Sequence, residues 1–139
     1  MKARTIELSA VLESLRSGAQ FTDEVIAEML GESPPPHLGY NIALAVSEAL
    51  TNAIRHCQSS GKVILGFSWD CENVVITVDD QGEELHLEDV PEPDFEDAAE
   101  GGYGLYIIRT LMDDVTLENF PGGKRLTMIK RLIEGNKPS

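Results

Sequence analysis

Glu48, Asn52 and Arg55 stand four and three residues apart in an Ala-rich segment running from about His37 to Cys57. At 100° per residue the three gather on one side of a helix, with Asn41 close by. Ile42, Val46, Ala49, Leu50, Ala53 and Cys57 gather on the other side and form a core face. A solvated outer face is the simplest use of such polar residues. Two features point beyond it. The Ile-Ala-Leu-Ala-Val run (42–46) is apolar enough to be buried on more than one side. Asn has no propensity reason to sit inside a helix. A carboxylate one turn from a carboxamide is useful chemistry. The carboxylate can take a proton from an attacking hydroxyl or water. The amide oxygen is a hard, neutral ligand suited to Mg²⁺, a cation that keeps several waters and takes phosphate oxygens.

Two glycine-containing stretches follow. Thr77-Val78-Asp79-Asp80-Gln81-Gly82 is a strand that runs into acids and then glycine. It reads as an Asp-rich turn, or as a carboxylate receiving a hydrogen bond from an amino group such as that of adenine, with Gly82 letting the backbone turn away beneath the ring. Glu100-Gly101-Gly102-Tyr103-Gly104-Leu105 opens a helix. Its glycines serve as a hinge, or expose backbone N–H groups at a positive dipole end suited to anions. A Walker-type GxxxxGK[ST] loop is absent, and a long loop rather than a strand leads into the glycines, which excludes a dinucleotide fingerprint.

These residues need elements to hold them. Residues 2–8 alternate as a first strand. Ser9 is positioned to cap a short helix ending near Gly18, and Thr22 to cap a second over Asp23–Leu30. The helix over 37–57 comes next, after Ser33-Pro34-Pro35-Pro36. Lys62–Trp69 and Asn73–Asp79 read as a hairpin, with Trp69 packed at a strand end. Residues 80–100 read as a long loop containing Pro91 and Pro93. A helix from the glycines to about Met112 and a hairpin of Val115–Asn119 with Lys124–Leu132 complete the chain. This order predicts an α+β fold, one domain over residues 1–139, with helices on one face of a sheet.

The 139 residues carry 11 Lys+Arg and 24 Asp+Glu, a net charge of −13. That balance excludes a nucleic-acid binder working by phosphate neutralisation and disfavours anionic membrane surfaces. Eleven of the acids lie between Asp79 and Glu100, where there is no Lys or Arg, so the rest of the chain is nearly balanced. No apolar run is long enough to span a membrane, and no signal-peptide pattern opens the chain, so a cytoplasmic protein is expected. Cys57 and Cys71 read as free thiols, Cys57 as a small hydrophobe. His37, His56 and His86 lack a metal-ligand spacing.

Taken in order, the motifs resemble those of the GHKL ATPase superfamily. Leu44-Ala45-Val46-Ser47-Glu48-Ala49-Leu50-Thr51-Asn52-Ala53-Ile54-Arg55-His56 resembles its N box, Asp79-Asp80-Gln81-Gly82 its G1 box and Gly101-Gly102-Tyr103-Gly104-Leu105 its G2 box. Within the superfamily, Glu-Ala-Leu-Thr-Asn-Ala and residues 104–115 are similar to the stand-alone anti-sigma-factor serine/threonine kinases. The resemblance implies a Bergerat fold, a two-layer sandwich with a mixed, mostly antiparallel sheet. It implies ATP and Mg²⁺ as cofactors. It makes Glu48 the catalytic base and Asn52 the Mg²⁺ ligand. Asp80 becomes the adenine-reading acid, with Gly82 beside it. Gly102, Gly104 and Leu105 lie at the phosphates, with Arg55 on the nucleotide side. It implies a STAS-domain antagonist as substrate, a sigma factor as a sequestered partner, and a homodimer.

The sequence departs from the pattern twice. Glu84 stands where the G1 box usually has its second glycine. Gly123 is followed by Lys124 and Arg125, where a Gly-Thr pair is common. Two readings follow: an active kinase, or a non-catalytic nucleotide-binding module that sequesters a sigma factor or an antagonist. The acidic stretch reads first as a solvated segment, or as a negative lid over the nucleotide, tuning closure and partner choice.

Overall fold

A computed structural model describes residues 1–31, 37–57, 61–82 and 104–132. Five strands and three helices run in the order β1 (Lys2–Ser9), α1 (Ser14–Leu30), α2 (Leu38–His56), β2 (Lys62–Trp69), β3 (Asn73–Asp80), α3 (Gly104–Leu111), β4 (Asp114–Phe120) and β5 (Gly123–Arg131). The strands form one sheet in the order β1-β2-β3-β5-β4. Every neighbouring pair is antiparallel, so the expected mixed character is absent among the described residues. The reason is topological. β3 and β4 run parallel across the α3 crossover, but β5 is inserted between them and pairs antiparallel with both.

Alternation fixes which side of each strand faces the helices. Val63, Leu65, Phe67 and Trp69 of β2 are buried, as are Val74, Ile76, Val78 and Asp80 of β3. Leu126 and Met128 of β5 join them. Ile42, Ala45, Val46, Ala49, Leu50, Ala53 and Ile54 of α2 and Ile108 of α3 cover this face. Each fully buried aliphatic side chain of this kind contributes about 1.5–3 kcal/mol. Helix α2 is thus buried over a wider arc than one amphipathic stripe, as its composition suggested. Cys57 lies just past it, half-buried.

The first helical region differs from the sequence expectation. Residues 14–30 form one continuous helix, with no break at Gly18 and no start at Ser9 or Asp23. Gly18 is a packing position instead. A Cβ there would approach Leu50 Cδ1 of α2 to 2.6 Å, so the missing side chain lets α1 and α2 close on each other. Thr22 is no cap; its hydroxyl donates to the Gly18 carbonyl at 2.7 Å inside the helix. Arg4 ties β1 to α1, donating to Glu28 at 2.6 Å and lying 5.7 Å from the centroid of the Phe21 ring.

Candidate functional site

Helix α2 is the spine of the site. Glu48, Asn52 and His56 lie on successive turns, so their positions form one stripe along it. Glu48 and Asn52 are half-buried and Arg55 is exposed on the stripe's shoulder. Two glycines from distant segments meet the stripe. Gly104, the buried first residue of α3, lies against the Asn52 side chain: a Cβ on it would be 2.7 Å from Nδ2 and 3.1 Å from Oδ1. One turn further on, a Cβ on Gly82 would collide with the carbonyl oxygen of His56. Gly82 is therefore required by its close approach to backbone, while Gly104 lies close against a side chain, and together they bring the end of β3 and the start of α3 to adjacent turns of α2.

Leu105, one residue into α3, is half-buried and packs on the core, anchoring the start of the helix. Gly102 and Glu84 lie outside the described residues, as do His86 and most of the acidic stretch.

Asp80 closes the sheet end of the stripe. The alternation of β3 turns it inward beside Val78, while Asp79 faces outward. The outward acid pairs with Arg125, accepting from Nε at 2.6 Å and from NH2 at 2.8 Å. Hydrogen bonding to Asp79 and its charge hold the Arg125 guanidinium above its already high ordinary value. The inward Asp80 has a side chain only 4% exposed. Its Oδ1 accepts the Gly82 N–H at 2.7 Å and the Lys124 ammonium at 2.9 Å. Lys124 stands directly opposite it in the β3–β5 register, with a side chain 7% exposed. Gly123 beside it is also obligatory, because a Cβ would collide with the Asp80 carbonyl oxygen.

The structure thus brings Asn52 together with Gly104, and Asp80 together with Gly82, along one helix whose preceding turn carries Glu48. It also adds Lys124, Gly123 and the His56 carbonyl to the site. The sequence signal for the first two was the departure from Gly-Thr after Pro121-Gly122. For the His56 carbonyl, a backbone atom, there was none.

A carboxylate and a carboxamide on successive turns, facing a glycine at a helix start, suit a phosphate-bearing ligand with a divalent cation; Asn52 Oδ1 is the cation ligand they offer. Among the described residues no group of three or more His, Cys, Asp or Glu forms a metal cage.

The model of the histidine kinase-like ATPase domain matches residues 2–130. The chain belongs to that family. It is 38% identical over 105 residues to the serine-protein kinase RsbW of Oceanobacillus iheyensis, a match covering 68% of this chain and 66% of the relative. It is 31% identical over 93 residues to RsbW of Bacillus subtilis, covering 59% and 58%. The matched region therefore spans somewhat less than two thirds of these relatives' lengths. Among solved structures, the RsbU and RsbW domains of Rv1364c from Mycobacterium tuberculosis match with a TM-score of 0.70 at 21% identity. That match covers 95% of this chain and 33% of the other. The catalytic domain of histidine kinase ThkA matches with a TM-score of 0.60 at 18% identity, covering 95% and 99%. These two likenesses establish the GHKL-type fold. No helix among the described residues is long and apolar enough to cross a membrane.

Proposed function

We propose that this chain is a cytoplasmic Mg-ATP-dependent protein serine/threonine kinase of the anti-sigma-factor type, phosphorylating a STAS-domain antagonist in a partner-switching circuit. The observation that carries the reading is the stripe on α2, where Asn52 meets Gly104 one turn from Glu48 and Gly82 meets the next turn beside the buried Asp80.

In this reading Asp80 accepts the exocyclic amine of the base. Asn52 Oδ1 would be the protein's ligand for the cation, and Gly102, Gly104 and Leu105 are the residues assigned to the phosphates. Bound Mg²⁺ supplies charge neutralisation at the phosphate oxygens. Glu48 accepts the proton of a serine or threonine hydroxyl as that oxygen bonds to the γ-phosphorus. The bond from the γ-phosphorus to the bridging oxygen breaks, and ADP leaves with the electron pair. The rest of the catalysis is positioning. A phosphate added to the antagonist changes its affinity for the kinase and frees or captures a sigma factor. The dimeric state of such kinases is part of the same expectation.

The test is transfer of labelled phosphate from ATP to a STAS-domain protein encoded beside this chain, with wild type and Glu48→Gln. The expected result is transfer by wild type and a loss of about 10²–10⁴-fold in the variant, with nucleotide binding retained. Binding without transfer in wild type would instead establish the second reading, a nucleotide-binding switch that sequesters its partner. The Lys124–Asp80 pair at the base end is the observation that favours that alternative.

A further inference from the structure

We propose that Lys124 competes with the nucleotide base for Asp80, so that the free chain holds its own nucleotide site self-paired and its affinity is set by how readily the ammonium leaves. The inference rests on the reading of Asp80 as the base-binding acid.

The geometry argues for competition rather than coexistence. Asp80 Oδ1 already has two donors, the Gly82 N–H and the Lys124 ammonium. The ammonium also lies against Gly82. A Cβ built on that glycine would meet the His56 carbonyl oxygen and would stand 2.8 Å from Lys124 Nζ and 2.9 Å from Asp80 Oδ1. Nζ is therefore packed between the glycine and the carboxylate, where a base has to reach Asp80. Both side chains are almost fully buried, and direct register across β3 and β5 holds them together. The match is chemical as well as steric. An amine N–H donated to a carboxylate and an ammonium donated to the same carboxylate are alternative partners, and only the ammonium adds a full opposite charge in a buried setting. Exchange is therefore uphill unless the rest of the nucleotide compensates.

The penalty has a readable form. A site competent in only about 1–10% of molecules binds its ligand about 10–100-fold more weakly than the open site would. Removing the ammonium abolishes that penalty. Seating a base also expels Nζ from a site where it is now sheltered, which makes Lys124 more reactive when nucleotide is bound.

Two measurements on the full chain test this. The first is calorimetric titration of Mg-ATP into wild type, Lys124→Thr, Lys124→Met and Asp80→Asn, each checked for cooperative thermal unfolding. The second is acetylation of wild type by an amine-reactive reagent, with Lys124 followed by peptide mass spectrometry with and without saturating ATP. The expected result is about tenfold or greater tightening in the Lys124 variants and a several-fold rise in Lys124 acetylation with ATP. Equal or weaker binding by the variants, or acetylation unchanged or reduced by ATP, overturns the competition. If that happens while Asp80→Asn abolishes binding, the base-reading role of Asp80 stands and only the competition falls. If wild type and the Lys124 variants all fail to bind, the nucleotide reading falls and the competition with it. Should the variants fail to fold, the acetylation of wild type decides alone.

Discussion

The Asn52 carboxamide rests on Gly104, its nitrogen 2.7 Å from where a Cβ on that glycine would be. This contact joins the middle of α2 to the first residue of α3, across 52 positions of sequence. It makes Gly104 a gauge of what Asn52 does. Gly104 is the first residue of α3, where alanine gains less than the interior preference of about 1 kcal/mol, and the obstructing atom is the end of a side chain rather than backbone. The variant should therefore keep wild-type stability within about 1 kcal/mol yet bind Mg-ATP about tenfold or more weakly, because Asn52 has to turn away. Thermal melting and nucleotide titration on the same sample check this. Unchanged binding would remove Asn52 from the nucleotide site.

Gly82 and Gly123 should behave differently, because a Cβ at either meets a backbone oxygen, that of His56 or of Asp80. Backbone cannot rotate aside as the Asn52 side chain can. Gly82→Ala and Gly123→Ala should each cost about 1–3 kcal/mol or more. Urea unfolding with an unchanged m-value would measure it. Wild-type stability would mean that the end of α2 yields easily in the Gly82 variant, and that the end of β3 does in the Gly123 variant.

Gly18 and Leu50 offer a test of how α1 packs on α2. Leu50 is 1% exposed, and its Cδ1 would lie 2.6 Å from a Cβ at position 18. Leu50→Ala should cost about 2–5 kcal/mol. Gly18→Ala alone should be destabilising through overpacking. In the Leu50→Ala background the same change should become neutral or stabilising, since the clash is gone and alanine favours a helix. Additive effects of the two changes would show that the helices separate without cost.

Asp70 sets a pH dependence at the turn between β2 and β3. Its Oδ1 accepts the Glu72 N–H at 2.8 Å and the Asn73 N–H at 2.9 Å. Hydrogen bonds from Asn73 and then Glu72 hold its carboxyl below the ordinary carboxylate range. A group with a lowered folded pKa stabilises the fold above its unfolded pKa of about 4 and loses that contribution as pH falls through the folded value. Asp70→Ala should therefore be less stable than wild type at neutral pH, with the gap narrowing in acid. Asp70→Asn, which keeps an acceptor, should lose less at neutral pH and should lack this acid dependence. Urea midpoints at about pH 7 and pH 3 compare them.

Much of the molecule was legible in the residues themselves. Two apolar-rich runs around the short turn at Asp70 marked β2 and β3, and a sheet with one covered face buries every second side chain of each. The same alternation, continued to the end of β3, turns Asp80 inward and Asp79 outward. Helix α2 was visible from its apolar arc, and the stripe of Glu48 and Asn52 from its violation of that pattern. The order of the N-box, G1 and G2 motifs pointed to the family.

Contacts between distant segments were decided only by the tertiary structure. Gly18 reads locally as a helix end, yet α1 runs through it, since the approach of Leu50 from α2 outweighs a cost of about 1 kcal/mol for glycine in a helix. The all-antiparallel sheet followed from the insertion of β5 between β3 and β4, which no local pattern encodes. Lys124 could be seen in the sequence as a departure at the last hairpin. Its burial against Asp80 comes from cross-strand register, and register is a property of paired strands that neither strand carries alone.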